Sequence, residues 1–184
     1  FLNSCSAHWC TLASAAPSPR AFFEANFQPV LIEDGQPMVF TGYFEPELSG
    51  SREKTDHFRV PVYALPKEPT QFTRRQIDED APLAGRGLEI AWLSDPVDLF
   101  FLQVQGSGRI CLADGAVMRV GFAGKNGRAY TSIGKILIGH GVADVNPDTI
   151  RAWVRANGAA GQALLWANES YVFFREITQV PADL

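Results

Sequence analysis

Apolar residues in this chain fall mostly in short runs of bulky, strand-compatible side chains, and polar or glycine-containing turns separate the runs. The pattern predicts strands over RVPVYAL, LEIAWLS and SYVFFREI, and short β-like runs within PVLIEDGQPMVFTGYFEPEL around an Asp34-Gly35 turn. LFFLQVQGSGRICL and AVMRVGFAG are predicted to pair as a hairpin around Asp114-Gly115, because both turn residues accept positive φ. SGSREKTDHF and the polar connection from Pro66 to Pro82 are predicted to be loops.

Helical spacing appears at both ends of the chain. The first thirty residues read as helical, with a break at Pro17-Ser18-Pro19. A short helix is predicted over residues 131–140. The next helix is predicted to start with Asn146 as its N-cap and Pro147 in its first turn, and Gly158 lies past its end. Residues 162–167 predict a short third helix. Short strands with a few helices between them favour a mainly β (α+β), barrel-like fold over a doubly wound sheet.

The segment from Phe101 to Lys135 is the richest in candidate chemistry, because it places amide, hydroxyl, aromatic and basic side chains between glycines. Glycine lets a backbone approach a ligand closely, and uncharged donors and acceptors suit hydroxyl groups. This inventory predicts a groove for a polyhydroxylated ligand. Two structural readings stay open: Gly106, Gly108, Gly121 and Gly124 serve tight packing, and Thr131 with Ser132 caps the helix that follows.

The composition is typical of a folded globular protein, because 46% of the 184 residues are apolar and 20% are charged. The net charge of −4 argues against nucleic-acid binding, which needs a clustered basic face. Residues 101–160 carry seven basic and three acidic side chains, so this segment is +4 within an acidic chain. It either meets an anionic ligand or is an ordinary solvated surface.

Several familiar kinds of site are disfavoured. QGSGR lacks a P-loop lysine and is predicted to lead into a strand, whereas a dinucleotide site needs a helix there. The three histidines, His8, His57 and His140, and the three cysteines, Cys5, Cys10 and Cys111, have no metal-ligand spacing and no nucleophile motif. Glu45 in GYFEP reads either as a solvent-facing strand end or as a cleft residue.

Five blocks resemble, in order, the signature blocks of the membrane-bound lytic murein transglycosylase A family and cover most of residues 40–176. They are FTGYFEPELSGS, FRVPVYALP, FFLQVQGSGRICLADG, RVGFAGKNGRAYTSIGKILIGHGV and NESYVFFRE. The resemblance implies a small β-barrel domain inserted into a larger double-psi β-barrel domain, with a glycan in the groove between them. It implies these boundaries: an arm and the first part of the larger domain over 1–45, the inserted barrel over 46–176, and a return over 177–184.

The resemblance also implies cleavage of the β-1,4 bond between N-acetylmuramic acid and N-acetylglucosamine in peptidoglycan, leaving a 1,6-anhydromuramyl end. A glycosidase that uses water normally needs two carboxyl groups. Here one acid suffices, because the C6 hydroxyl of the same sugar attacks the anomeric carbon at high effective molarity. Such a proton-transfer mechanism needs no cofactor and no metal.

No position in this sequence matches the single catalytic aspartate of the family, which follows the NESYVFF-like block by many residues. Asp114 lies in a predicted turn and Asp183 in the trailing end, so neither is assigned that role, and we expect the larger domain to be incomplete here. The residues expected to bind substrate are those of the matching blocks: Thr41, Gly42, Tyr43, Gln103, Gln105, Gly106, Ser107, Lys125, Asn126, Tyr130 and Ser132.

The expected partner is therefore a peptidoglycan glycan strand and not a nucleic acid. The expected location is the periplasm, with any outer-membrane anchoring through a lipid outside this chain. One alternative is a non-catalytic glycan-binding or cell-wall-anchoring β-domain. Another is a purely structural interaction domain, which predicts no glycan affinity.

Overall fold

A computed structural model describes residue 12 and residues 14–28 and 44–177, and the chain forms two compact units, Phe1–Thr41 and Gly42–Leu184. In the first unit, helix α1 spans Pro19–Asn26. It begins after the predicted break, because the Ser18 side chain accepts a hydrogen bond from the Ala21 amide at 3.2 Å and Pro19 occupies the first turn. The predicted Asp34-Gly35 turn lies outside the described residues.

The second unit holds one six-stranded mixed sheet in the order β2-β3-β1-β4-β5-β6 among its described residues. The strands are β1 Glu47–Ser51, β2 Val60–Tyr63, β3 Glu89–Leu93, β4 Ser107–Leu112, β5 Val117–Lys125 and β6 Val172–Glu176. The pair β1–β4 is parallel and the other pairs are antiparallel. A single β-bridge pairs Ala64, next to β2, with Phe174 in β6, so it links the two ends of this strand order. The predicted mainly β (α+β) class is thus confirmed.

Helices connect the strands and share the core with them. They are α2 Arg74–Glu79, α3 Pro96–Gln105, α4 Ile133–Gly139, α5 Pro147–Ala156 and α6 Gly158–Trp166. One face of α3 packs on the sheet through Leu99 and Leu102, and its opposite face carries Phe100 and Phe101 into a cluster with α4, α5 and α6. Within the described residues, no helix has the length and hydropathy that a bilayer crossing requires.

The prediction of a strand over LFFLQVQ is wrong, because these residues form α3. The Asp95 carboxylate accepts a hydrogen bond from the Val97 amide at 2.7 Å, and Pro96 presets the first helical turn. Gly106 ends the helix with φ of 79°. The run looks strand-like since both of its sides are buried, so no polar face marks the helical period. Only β4 and β5 make the predicted hairpin.

Two predicted loops also contain regular structure. The connection from Pro66 to Pro82 includes α2, where the Thr73 and Gln76 side chains form a reciprocal capping box. The predicted loop SGSREKTDHF begins inside β1, whose sequence ELSGS has weak strand propensity. Pairing with β3 and β4 on both sides holds β1 in place, and a Cβ at Gly50 would lie 2.5 Å from Ile110 Cγ2.

The predicted helices with clear capping signals, and three of the predicted strands, are confirmed. Ser132 caps α4, and the Asn146 side chain accepts hydrogen bonds from the amides of Asp148 and Thr149 at the start of α5. The third helix begins at Gly158, four residues before its predicted start. Strands β2, β3 and β6 lie within the three predicted runs. These elements support the segment between α2 and β6 in which most predicted site residues lie.

Candidate functional site

A buried arginine organises the polar centre of the second unit. The Arg74 side chain of α2 is 3% exposed and donates hydrogen bonds to the Asn168 carbonyl at 3.1 Å, the Ser170 carbonyl at 2.8 Å and Gln103 Oε1 at 2.6 Å. The guanidinium carbon lies 4.8 Å from the Phe100 ring centroid and 5.2 Å from that of Tyr171. Neutral oxygens and ring faces therefore surround this cation.

Burial lowers the pKa of Arg74, while the nearby Asp78 carboxylate acts in the opposite direction. An arginine still keeps its charge under these conditions. Burial also raises the pKa of Tyr171, which keeps this phenol neutral beside the cation. The centre is consequently a fixed positive charge in a low-dielectric surrounding, with its donors directed at oxygens of α3 and of the segment before β6.

Gln103 lies next to Arg74 and is 4% exposed. Its oxygen accepts the bond from Arg74, and its nitrogen donates to the Val172 carbonyl at 3.0 Å. The side chain thus ties α3 to α2 and β6. A direct contact between Gln103 and a ligand stays a prediction, and this burial does not favour it.

Asn126, at the end of β5, is likewise enclosed, with 1% of its surface exposed. Its amide nitrogen donates to the carbonyls of Phe72 and Glu169 at 2.8 Å each, and its oxygen accepts from the Tyr171 amide at 2.9 Å. The side chain therefore joins the loop before α2 to the segment before β6. Like Gln103, Asn126 forms its side-chain hydrogen bonds with other groups of the protein.

The remaining described candidates lie at the surface or partly buried. Gln105 ends α3 and is exposed, and Gly106 and Ser107 follow it at half-buried positions. Lys125 is exposed at the end of β5, and Tyr130 is 58% exposed. The Ser132 side chain accepts from the Lys135 amide at 3.4 Å, which agrees with its structural reading as a cap. Thr41, Gly42 and Tyr43 lie outside the described residues.

Two small pockets bring some of these residues together. One of about 80 Å³ contains Tyr130 at its edge and Gln103 and Arg74 in its wall, together with Asn168 and Ser170. A second of about 160 Å³ is lined by Lys125 and Asn126 and by the loop from Leu65 to Gln71. The structure thus pairs Gln103 with Tyr130 and Lys125 with Asn126.

Helix α3 also separates two glutamines that the sequence reading treated alike. Residues two apart share a face in a strand but lie about 200° apart around a helix. The resemblance predicted the same substrate-binding role for Gln103 and Gln105, but the helix separates their side chains. In the structure one is buried against Arg74 and the other is exposed.

Sequence reasoning missed Arg74, Asn168 and Ser170. The Asn168 side-chain oxygen accepts bonds from the Thr131 amide at 3.1 Å and the Ser170 amide at 3.2 Å, which fixes the segment carrying Tyr130. A signal for α2 was present, because Thr73 and Gln76 have the spacing of a capping box. No local pattern reveals that Arg74 points inward.

Other titratable groups take no part in this cluster. Glu45 pairs with Arg119 at 3.2 Å, and His57 and His140 are exposed. His8, Cys5 and Cys10 lie outside the described residues, and Cys111 is a free, half-buried thiol. Among the described positions, no group of three His, Cys, Asp or Glu residues is arranged to hold a metal ion.

The model of a protein family described as "MltA specific insert domain" matches residues 39–72 and 68–175. The chain is 38% identical to a membrane-bound lytic murein transglycosylase A of Vibrio cholerae over 78% of its own length and 40% of that relative. The Escherichia coli protein of the same name is 33% identical over 77% of the chain and again 40% of the relative. The chain therefore spans about 40% of the length of these relatives.

Solved structures of lytic transglycosylases are also similar to this chain. The lytic transglycosylase LtgG of Burkholderia pseudomallei has a TM-score of 0.68 and 42% identity, with 76% of this chain and 44% of that chain covered. The structure of E. coli MltA with bound chitohexaose has a TM-score of 0.68 and 33% identity, with coverage of 77% and 43%.

Proposed function

The chain belongs to the membrane-bound lytic murein transglycosylase A family, and we propose that it supplies part of the glycan-binding surface of such an enzyme. The observation that carries this proposal is the position of exposed Gln105, Lys125 and Tyr130 around a polar framework that is fully hydrogen bonded within itself. A rigid framework with exposed polar and aromatic groups suits a sugar chain. The bound chitohexaose of the E. coli relative is in keeping with this ligand class.

In this proposal the exposed and buried members of the predicted site have different roles. Tyr130 stacks on a pyranose face, Gln105 and Ser107 bond hydroxyl or acetamido groups, and Lys125 meets a carboxylate of the lactyl group or stem peptide. Thr41, Gly42 and Tyr43, which lie outside the described residues, stay predicted substrate-binding residues. Gln103 and Asn126 hold the walls in place, as Gly106 and Ser132 do by ending α3 and starting α4.

The proposed reaction is that of the family: cleavage of the β-1,4 bond from N-acetylmuramic acid to N-acetylglucosamine with formation of a 1,6-anhydromuramyl end. One carboxylic acid protonates the leaving oxygen as its bond to the anomeric carbon breaks, and the C6 hydroxyl bonds to that carbon and gives its proton to the carboxylate. We place that acid outside the described residues of this chain. In support, the Asp114 carboxylate accepts a bond from the Ala116 amide at 2.9 Å inside the β4–β5 turn, so it serves the turn.

We further propose that the six strands form the small barrel of the family, inserted in a larger double-psi β-barrel domain. The bridge from Ala64 to Phe174 supports closure, because it joins the two strands at the ends of the row. We also propose a periplasmic location, which is in keeping with a peptidoglycan substrate. The non-catalytic alternative, a glycan-binding or anchoring β-domain, shares the surface and differs only in lacking the acid.

Digestion of purified peptidoglycan tests the proposal, with mass spectrometry of released muropeptides and a parallel pull-down on the insoluble sacculus. We expect the 184-residue chain to bind the sacculus and release nothing. Release of 1,6-anhydromuropeptides would place the acid within this chain and contradict that part of the account. Absence of both binding and release would contradict the glycan-binding role itself.

A further inference from the structure

A larger pocket, of about 420 Å³, opens elsewhere on the second unit between β2, β3, α2 and α6. Its floor is apolar and buried, with the rings of Tyr63 and Tyr171 and the side chains of Ile77 and Leu99. None of the residues predicted to bind the glycan lines it. The size is within the range of small-ligand sites, about 300–1,000 Å³.

One carboxylate, that of Asp78, lines this pocket. Asp78 on α2 accepts a hydrogen bond from the Trp166 indole N–H at 3.0 Å. Asp78 is an exposed residue, and the protein packed beside its carboxyl group raises the pKa of that group by desolvation, against the opposing effects of Arg74 and Trp166. A desolvated carboxylate of this kind gains from a cation placed next to it.

The Tyr63 hydroxyl adds a free polar group at the floor. It has no hydrogen-bond partner among residues 44–177, and Tyr63 lines the pocket. Desolvation raises the pKa of Tyr63 to about 12, which keeps the hydroxyl protonated. It is available to a ligand as donor or acceptor.

Two basic residues also line the pocket. Lys54 and Arg59 line it, and in the described part of the chain neither has a carboxylate within ion-pair distance. The Lys54 ammonium group lies 5.5 Å from the Trp92 ring centroid. Two cations without a protein carboxylate partner, one of them near an aromatic ring, suit a ligand carboxylate attached to an apolar stem.

We infer that this pocket binds a zwitterionic peptide end, with its amino group at Asp78 and Tyr63 and its carboxylate at Lys54 and Arg59. The apolar floor receives the aliphatic stem between the two charged groups. The inference rests on the proposed function, because peptidoglycan glycans carry short peptides with free amino and carboxylate groups. It adds a peptide-recognition site that none of the predicted glycan-binding residues lines.

Isothermal titration of the 184-residue chain tests the inference with two probes: sugar-free tetrapeptides released from murein by an amidase, and chitohexaose. We expect the tetrapeptides to bind, N-acetylation of their amines to weaken binding at least tenfold, and Asp78→Asn to do the same. Asp80→Asn is the matched control, because Asp80 is an exposed residue at the end of the same helix and does not line the pocket. Chitohexaose affinity should stay unchanged in both variants.

Tyr63→Phe and Lys54→Met are further variants in case Asp78→Asn unfolds, and each should weaken tetrapeptide binding several-fold. Equal tetrapeptide binding by the wild type and by all three pocket variants would overturn the inference. Chitohexaose binding without tetrapeptide binding would overturn it and leave the proposed function standing. Failure of both probes to bind would contradict the proposed function as well.

Discussion

Two sets of polar residues on the second unit have similar chemistry and opposite surroundings. Gln103 and Asn126 are buried, and their amides bond Arg74 and backbone groups from distant segments. Gln105, Lys125 and Tyr130 lie within four residues of them in sequence and are exposed. The buried set therefore fixes the positions of three segments, and the exposed set is free to meet a ligand.

The difference teaches that a residue's type says less about its role than the direction of its side chain. An amide that is fully hydrogen bonded inside the protein is costly to remove, since its partners are left unsatisfied. An exposed amide costs little to remove unless a ligand uses it. Stability and glycan affinity should consequently respond to different variants.

The largest expected effect is at the centre of the buried set. Arg74→Met removes all three donors and leaves the Asn168 and Ser170 carbonyls and Gln103 without their partner, so we expect a loss of about 3 kcal/mol in the free energy of unfolding. Urea denaturation measures it. Arg75→Met is the control, because Arg75 is an exposed neighbour on the same helix and its loss should leave the midpoint nearly unchanged. Equal midpoints for both variants would contradict the role given to Arg74.

Asn126→Ala should have the next largest effect. It removes two donated bonds and two accepted bonds at a site with 1% exposure, for an expected loss of about 2 kcal/mol. Asn157→Ala, at an exposed helix end, should cost less than about 1 kcal/mol by the same measurement. If Asn126→Ala instead kept full stability and lost only chitohexaose affinity, Asn126 would belong to the binding set.

Gly106 lies in sequence between buried Gln103 and the exposed residues Lys125 and Tyr130, and its effect on stability is expected to come from its backbone conformation. Its φ of 79° is strained for any residue with a Cβ, although no atom lies within 4 Å of where the Cβ would be. Gly106→Ala should therefore cost about 1 kcal/mol of stability through backbone strain alone. Gly139→Ala, at a helical position with open space and no positive φ, should not destabilise. Thermal unfolding of the two variants measures this difference. A lower midpoint for Gly106→Ala alone supports backbone strain, and equal midpoints would contradict it.

The smallest effect on stability is expected at Tyr130. Because its side chain is 58% exposed, Tyr130→Ala should leave the unfolding midpoint unchanged. Loss of one ring stacked on a sugar should weaken chitohexaose binding by about 1 kcal/mol, or roughly fivefold. Tyr130→Phe keeps the ring and should retain most of the affinity. Unchanged affinity in Tyr130→Ala would remove this residue from the binding set.

Much of the fold was predictable where local signals were strong. Asn146 with Pro147 marked the start of α5, and Asp114-Gly115 marked the turn between β4 and β5. The strand predicted over LFFLQVQ was wrong, because a helix buried on both sides loses the polar stripe that marks its period. Helix α2 was missed since it is only six residues long and lies in a polar stretch.

The candidate site was predictable as an inventory of residue types but not as an arrangement. The family blocks predicted one role for Gln103 and Gln105, whereas α3 turns their side chains apart. Arg74 and Asn168 come from segments separated by 94 residues, and only tertiary packing brings them together. Such long-range pairs leave no local signal in one sequence.

Gln103 and Gln105 together give the most direct test of the division between framework and binding residues. Urea denaturation and chitohexaose titration should be carried out on Gln103→Ala and Gln105→Ala in parallel. The account predicts that Gln103→Ala loses about 2 kcal/mol of stability, and that Gln105→Ala keeps its stability and binds the glycan more weakly. A Gln103→Ala variant as stable as the wild type but defective in glycan binding would contradict it.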